Sequence, residues 1–217
     1  MSFISQFAGS HKIEPVSVQR GMPRLVTGLP QTERAIGYAE RMHAGQQRAD
    51  GTPFILHPLE VAALLYYAGA PDHLIAAGVM HDLVEKTDVV ALDLRQRFGP
   101  RITELVLAVS DDERITGYAK RKAALRQQVA RAGDEALTLF AADKLSKLRE
   151  LRRETAIDPD GEPATGGVGE LRARRLRHYQ RPLALLEERL AESPLVRELR
   201  DELATIRRAP ATLARAR

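Results

Sequence analysis

The sequence predicts an all-α protein of 217 residues. Apolar residues recur at helical spacing through most of the chain after Thr32, and no segment shows a convincing strand-like alternation. No motif repeats with a period of about 20–50 residues, which argues against a repeat architecture. Hydrophobic residues make up 44% of the chain, enough for a sizeable core. We therefore expect one helical domain over residues 31–192, with a leader at 1–30 and a C-terminal helix and tail at 193–217.

The first half of the chain predicts short helices separated by turn residues. Glycines and prolines without periodicity mark residues 1–30 as a partly disordered leader. Thr32 can cap the first helix, and Pro58 and Pro71 each stand where a further helix begins. The predicted helices of this half span residues 32–47, 59–68, 72–86, 91–98 and 101–108.

Longer helices are predicted in the second half. Strong helical periodicity covers residues 117–132 and 134–153. Residues 155–169 have the composition of a loop, and an arginine-rich amphipathic helix follows over 170–192. A last helix is predicted over 195–208.

The composition excludes several classes of function. The chain has no cysteine, so a disulfide, a thiolate nucleophile and a cysteine-based zinc site are excluded, and any metal must be held by His, Asp or Glu. The net charge of +4 arises from 33 basic residues mixed with 29 acidic ones, and aromatic residues make up only 5%. This mixture is typical of a solvated helical surface and does not favour a nucleic-acid partner. No apolar run approaches the ~18 residues of a membrane span, which favours a cytoplasmic protein without a membrane partner.

The stretch Val79–Thr87, VMHDLVEKT, carries the first candidate site. The helix that contains it is apolar nearly all round, so we expect it to be buried. Burying the charge of Asp82 without a partner is costly, and a metal or another cation would compensate it. His81, Asp82 and Glu85 can share one helix face. The alternative is structural: His81 is a hydrogen-bonded core histidine and Asp82 meets an arginine.

Two further residues favour the metal interpretation. His57 stands at a helix entrance beside Pro58, and Asp143 lies on an otherwise apolar helix face. Together with His81 and Asp82 they follow an H…HD…D order. Two imidazoles and two carboxylates suit manganese or iron and leave positions open for water and substrate.

Several motifs together resemble one known family. The chain is similar to the hydrolase domain of the RelA/SpoT family, and most closely to the stand-alone small alarmone hydrolases, over about residues 32–190. The stretches that carry this resemblance are His43–Arg48 (HAGQQR), Gly51–Pro58 (GTPFILHP), His81–Glu85 (HDLVE), Phe98–Gly99, Val109–Asp112 (VSDD) and Ala142–Leu145 (ADKL).

The resemblance implies an HD-domain phosphohydrolase with a helical-bundle fold and one Mn²⁺ ion. It further implies removal of the 3′-pyrophosphate from guanosine 3′,5′-bis(diphosphate), abbreviated ppGpp, or its pentaphosphate, giving GDP or GTP. Glu85 matches a carboxylate beside the attacking water, Arg48 matches an arginine that packs on the base, and Phe54 replaces a tyrosine of the same pocket. The residues that match the metal ligands are His57, His81, Asp82 and Asp143.

Three positions depart from the family pattern. Lys86 replaces the second acid of a Glu-Asp pair, Ala49 replaces a lysine or arginine, and Lys147 stands in place of an asparagine. One interpretation is a retuned pocket, in which Lys86, beside Glu85 in the catalytic centre, and Lys147, in the substrate site, bind phosphates that Ala49 no longer holds. A second is a slow or inactive nucleotide-binding module. A third is that both lysines point into solvent and change little.

Two other features are given structural interpretations. His43 lies on an apolar helix face and matches no ligand position, so we expect it to support the site from behind or to pack in the core. Asp111 and Asp112 close a helix pair, and a bracing role is favoured over a direct one.

The expected partner is a small purine nucleotide with a 3′-diphosphate. An adenosine analogue remains an alternative substrate, since an arginine stacked on a base contacts its π-face and not its edge. The sequence leaves the oligomeric state open between a monomer and a homodimer.

Overall fold

The computed structural model describes residues 28–156 and 167–208. Most of the predicted leader, most of the predicted loop at 155–169, and the tail at 209–217 lie outside these residues. Within the described part the chain is helical, with one isolated antiparallel bridge between Gln47 and Pro53 and no strand. The all-α prediction is confirmed. The helices are α1 Pro30–Met42, α2 Leu56–Tyr67, α3 Asp72–Met80, α4 Leu83–Lys86, α5 Ala91–Val109, α6 Tyr118–Ala132, α7 Asp134–Ala156, α8 Gly167–Arg189 and α9 Pro194–Arg208.

Helix α1 differs from its prediction at both ends. It begins at Pro30, and the carboxylate of Asp72 accepts hydrogen bonds from the backbone N–H groups of Gln31 and Thr32, each at 2.9 Å. Thr32 is therefore not the N-cap, because a residue from α3 satisfies the free amides instead. The helix ends at Met42 and not at Gln47, shortly before Gly45 takes a positive φ of 77°.

The predicted helix over 72–86 is divided in two. Helix α3 ends at Met80, and α4 begins at Leu83. The His81 side chain donates from Nδ1 to the carbonyl of Gly78 at 2.8 Å, the carbonyl that an unbroken helix would offer to the amide of Asp82. His81 and Asp82 consequently lie at a helix junction and not inside a helix.

The break predicted between residues 98 and 101 is present inside α5. Gly99 leaves the helical conformation with φ 82° and ψ 171°, and Pro100 follows it. Glycine tolerates this φ, and proline is favoured at the start of the renewed helix.

Helices α3 and α7 form the centre of the core. Every residue from Leu74 to Met80 is buried, and α7 contacts α2, α3, α5, α6, α8 and α9. Helix α9 packs on α7 through residues of the same core, including Leu195, Leu199 and Leu203. The boundary at 192/193 stays a prediction.

No helix within residues 28–156 and 167–208 has the length and apolar character needed to cross a membrane.

Candidate metal centre

Four buried side chains from three parts of the fold converge in the core. His57 comes from the first turn of α2, His81 and Asp82 from the α3–α4 junction, and Asp143 from the middle of α7. Each is at most 4% exposed. We call His57, His81, Asp82 and Asp143 the metal cluster. The sequence predicted this grouping, and α7 supplies Asp143 across 60 or more intervening residues because it packs against both α2 and α3.

The imidazole and carboxylate groups of the cluster are within a few ångströms of one another. His57 Nε2 lies 3.2 Å from Asp143 Oδ1 and 3.6 Å from Asp82 Oδ2. His81 Nε2 lies 3.3 Å from Asp82 Oδ1 and 3.5 Å from Asp143 Oδ1. Ligand atoms of His57, His81 and Asp143 fall within 4.8 Å of one another, close enough to bind one ion.

Hydrogen bonds leave both histidine Nε2 atoms available as ligands. His81 Nδ1 must carry a proton, because its partner is the Gly78 carbonyl, which can only accept. His57 Nδ1 lies 2.9 Å from the hydroxyl of Ser146. The buried Nε2 atoms of His57 and His81 have no hydrogen-bond partner among the described residues. Buried nitrogens facing two carboxylates fit a divalent cation, which would satisfy all of them.

The electrostatics of the cluster keep its carboxylates ionised. Burial raises the pKa of Asp82, but His81 and Lys147 outweigh it and lower that pKa to about 2. Burial likewise raises the pKa of Asp143, but Lys144 and Lys147 outweigh it, and that pKa lies well below its ordinary value. Burial lowers the pKa of His57, whereas at His81 the Asp82 and Asp143 carboxylates outweigh burial and raise the pKa. Two anionic carboxylates at neutral pH attract a cation.

Two lysines of α7 contact the cluster. Lys147 Nζ lies 2.7 Å from Asp143 Oδ1, with 39% of its side chain exposed. Burial lowers the pKa of Lys147, but the carboxylates of Asp143 and Asp82 outweigh that effect and raise it. Lys144, which sequence reasoning missed, donates to Asp143 Oδ2 at 2.6 Å and lies over the Phe140 ring. Its place next to Asp143 in the sequence gave no signal of this contact.

Glu85 is held beside the site by backbone. Its Oε1 atom accepts a hydrogen bond of 2.6 Å from the amide of Asp111. Asp111 in turn accepts from Lys122 Nζ at 2.5 Å through Oδ2. The bracing role predicted for Asp111 agrees with these contacts, which fix the Glu85 carboxylate at the end of α5.

Lys86 stands on the outside of this region. Its side chain is exposed and forms no ion pair or hydrogen bond with the described residues, while its carbonyl accepts from Gln46 Nε2 at 2.8 Å. This exposure agrees with the interpretation in which Lys86 points into solvent. Its catalytic role stays a prediction.

The loop before α2 positions the residues predicted to contact a base. Arg48 forms an ion pair with Glu150 of α7, and only 10% of its side chain is exposed. Phe54 packs against His43, with ring centroids 4.8 Å apart, and reaches His57 at 6.5 Å. His43 is 3% exposed, and its Nδ1 pairs with Gln46 at 2.8 Å, in agreement with a supporting role. The role of Glu150 was not predicted, since no local pattern links it to Arg48.

A cavity of about 450 Å³ opens between α6, α7 and α8. Lys147 and Lys144, the two lysines on Asp143, line it, as does Glu150, so the cavity and the metal cluster are adjacent. Its remaining charged and aromatic lining includes Lys122, Arg126, Phe140, His178 and Tyr179. A basic, aromatic cavity of this size suits a phosphorylated ring compound.

An all-α fold with an H…HD…D metal cluster in its core defines the HD class of metal-binding domains. A family model described as the HD domain matches residues 35–160. The chain belongs to this HD-domain family, and its relatives include the (p)ppGpp 3′-pyrophosphohydrolases.

Named relatives and a solved structure agree with this assignment. The chain is 35% identical over 131 residues to the human guanosine-3′,5′-bis(diphosphate) 3′-pyrophosphohydrolase MESH1, a match that covers 58% of this chain and 71% of MESH1. It is 39% identical over 134 residues to a GTP pyrophosphokinase of Streptomyces coelicolor, covering 60% of this chain but only 16% of that longer protein. The structure of a metazoan orthologue of SpoT, described as hydrolysing ppGpp, matches with a TM-score of 0.68 at 26% identity, covering 81% of this chain and 94% of the other.

Proposed function

We propose that this protein is a Mn²⁺-dependent hydrolase that removes the 3′-diphosphate of ppGpp or its pentaphosphate. The observation that carries the proposal is the convergence of the metal cluster with a basic cavity of about 450 Å³. The names of MESH1 and the metazoan SpoT orthologue, which covers most of this chain, support the choice of substrate. A nucleotide substrate also favours a cytoplasmic location.

His57, His81, Asp82 and Asp143 are the residues that would hold the ion. Their nitrogen and oxygen atoms suit Mn²⁺, and the burial of all four keeps competing water away. When bound, such an ion lowers the pKa of water and offsets negative charge on phosphoryl oxygens.

Glu85 would orient the attacking water and accept its proton. Its carboxylate is held at Oε1 by the Asp111 amide, which leaves the second oxygen free to accept a proton. Water adds to the phosphorus attached to the 3′-oxygen, that P–O bond breaks, and the 3′-oxygen takes a proton. The products are pyrophosphate and GDP, or GTP from the pentaphosphate. Lys86, next to Glu85, would supply positive charge at the mouth of the site.

The substrate would extend from the metal cluster across the cavity. Lys147 lies at the boundary of the two and would bind phosphate oxygens as a point charge. Arg48 and Phe54 would pack against the purine, with the Arg48 guanidinium held by Glu150. These contacts use the face of the base, so an adenosine analogue is the second substrate to test.

A binding module is the second candidate function. The ion pair between Lys147 and Asp143 favours it, because a lysine ammonium on a ligand carboxylate competes with a divalent cation for that oxygen. Such a protein would bind the nucleotide and turn it over slowly.

The decisive experiment is incubation of the purified protein with Mn²⁺ and ppGpp, with GDP and pyrophosphate followed by ion-exchange chromatography. Asp143→Ala is the inactive comparison, and the exposed α9 residue Asp201→Ala is the matched control. Release that Asp143→Ala abolishes and Asp201→Ala retains establishes the hydrolase. Bound Mn²⁺ and bound nucleotide without release would instead establish the binding module. Light scattering of the same sample decides between monomer and homodimer.

A further inference from the structure

A chain of hydrogen bonds runs from the surface of the protein to the metal cluster. Arg153 Nη2 donates to Glu60 Oε2 at 3.1 Å, and the Ser146 hydroxyl donates to the same oxygen at 3.0 Å. The Ser146 oxygen lies 2.9 Å from His57 Nδ1. Ser146 is fully buried, whereas 21% of the Glu60 side chain and 53% of the Arg153 side chain are exposed. The hydrogen-bonded side chains are therefore progressively more buried toward His57.

The chemistry of the donors fixes the direction of this chain. A serine hydroxyl has one proton, and an ionised Glu60 carboxylate can only accept. Because Ser146 gives its proton to Glu60, its oxygen must accept from His57, and the imidazole proton must be on Nδ1. The lone pair of His57 is then on Nε2, the atom that lies 3.2 Å from Asp143.

The other histidine of the cluster is fixed differently. The proton of His81 is held on Nδ1 by a backbone carbonyl, which no side-chain substitution removes. The proton of His57 depends on two side chains, Ser146 and Glu60. Of these two imidazoles, only that of His57 can change its tautomer when its hydrogen-bond partners are substituted.

We propose that Ser146 and Glu60 are positioning residues that hold the proton of His57 on Nδ1 and so present Nε2 to the metal. The inference rests on the metal site of the proposed function. Partners of this kind typically contribute about 10–100-fold to metal affinity.

Titration of the metal-free full-length protein with Mn²⁺ by calorimetry tests the proposal without any nucleotide. Ser146→Ala should weaken Mn²⁺ binding by about 10–100-fold. Glu60→Gln should weaken Mn²⁺ binding less than Ser146→Ala. The glutamine side chain can still accept from Ser146 through its oxygen, but its amide can also donate to Ser146 and let the hydroxyl turn toward His57. Arg153→Ala, which removes only the exposed end of the chain, should change the affinity by less than about twofold.

The tautomer of His57 provides a second readout that a merely structural role would not move. Long-range ¹H–¹⁵N NMR of the metal-free protein should show His57 protonated on Nδ1 in the wild type. In Glu60→Gln, a population protonated on Nε2 alone should appear. Thr103→Val is the matched control for loss of a buried hydroxyl, since Thr103 is 3% exposed and its hydroxyl donates to the Gly99 carbonyl of the same helix at 2.8 Å.

Wild-type affinity in Ser146→Ala, or a wild-type His57 without a proton on Nδ1, would overturn the proposal. Failure of the proposed function gives a different result: the wild type would bind Mn²⁺ and release no pyrophosphate, while the two variants would still lose affinity. Should Ser146→Ala not fold, the nearly isosteric Glu60→Gln variant decides the question through its tautomer. A wild type that binds no Mn²⁺ would refute the metal site and the inference together.

Discussion

The metal cluster and four charged residues outside it differ in how tightly the fold constrains them. We call these four residues, Arg48, Lys86, Lys147 and Glu150, the rim. Members of the cluster are at most 4% exposed, whereas the Lys147 side chain is 39% exposed and Lys86 is exposed. Buried polar groups must be satisfied by one another or by an ion, so their chemistry is narrowly determined. The two lysines of the rim can pair with water, whereas Arg48 and Glu150, which the fold brings together, pair with each other.

Removal of a cluster carboxylate should have the largest effect. Asp143→Ala should abolish Mn²⁺ retention and reduce ppGpp hydrolysis by more than the ~100-fold typical of an outer partner, because it removes one ligand directly. Elemental analysis and steady-state kinetics measure the two effects. Retained metal and activity would show that the cluster has a structural role only. Its function would then be no more tightly constrained than that of the rim.

Crowding between α2 and α3, the helices that carry His57 and lead to His81, should destabilise the whole fold. A Cβ on Gly78 would lie 2.6 Å from Leu65 Cδ1 and 3.5 Å from Val61 Cγ1, so in Gly78→Val the buried Leu65 side chain must shift within a packed core. We expect a loss of about 1–3 kcal/mol in the free energy of unfolding. Urea denaturation measures it.

Gly37→Val is the matched control for this substitution. A Cβ at Gly37 meets only the Arg41 guanidinium, at 3.7 Å. Equal destabilisation in the two variants would mean that the close approach of α2 and α3 is not the cause.

Loss of Arg48, which we propose packs against the purine, should affect substrate binding more than turnover. Arg48→Ala removes a guanidinium that Glu150 holds in place, and the KM for ppGpp should rise by about three- to thirtyfold with a smaller change in kcat. Arg95→Ala, on the exposed side of α5, is the control. A fall in kcat at constant KM would place Arg48 in the chemistry and not in binding.

Lys147 connects the two regions, so its replacement should act on both. In Lys147→Asn a cation 2.7 Å from Asp143 is removed, and Mn²⁺ affinity should rise by up to about fivefold, since a partly exposed ion pair is weak. The KM for ppGpp should rise as well, because a phosphate contact is lost. Calorimetry and kinetics separate the effects, with Lys120→Asn as an exposed control. Weaker Mn²⁺ binding would contradict competition between Lys147 and the ion.

Lys86 should have the smallest effect of the rim residues. Its side chain is exposed and forms no ion pair or hydrogen bond with the described residues, so Lys86→Ala should change kcat/KM for ppGpp by less than about threefold. A tenfold decrease would show instead that the lysine reaches the substrate. Lys86→Asp, which restores the acid of the family pattern, would then raise activity if the lysine limits proton transfer.

Prediction from sequence succeeded where local patterns carry the information. The helical periodicity located most helices, and the break at Gly99 followed from a glycine before a proline. It was wrong at Thr32, because Asp72 caps α1 from another helix, and at Gln47, because α1 ends at Met42 shortly before Gly45 takes a positive φ. It was also wrong over 72–86, because a side chain takes the Gly78 carbonyl at the junction.

The polar residues that contact the metal cluster show most clearly which contacts the sequence does not predict. Ser146 follows Asp143 by three residues and Glu60 follows His57 by three, spacings that place each near its neighbour's face. Nothing local indicates that the two meet, because 86 positions separate them in the chain. The contact between Arg48 and Glu150 is equally remote in sequence.

The sequence by itself determined the all-α class, the residue types able to hold a metal and the H…HD…D order that marks the family. Periodicity and motif spacing are local properties, and they persist in the unfolded chain. Only the tertiary structure decided which carboxylate meets which imidazole, where the proton of His57 lies, and that Lys86 faces solvent. Those outcomes depend on the packing of α7 against α2 and α3, which joins residues distant in sequence and sets their burial.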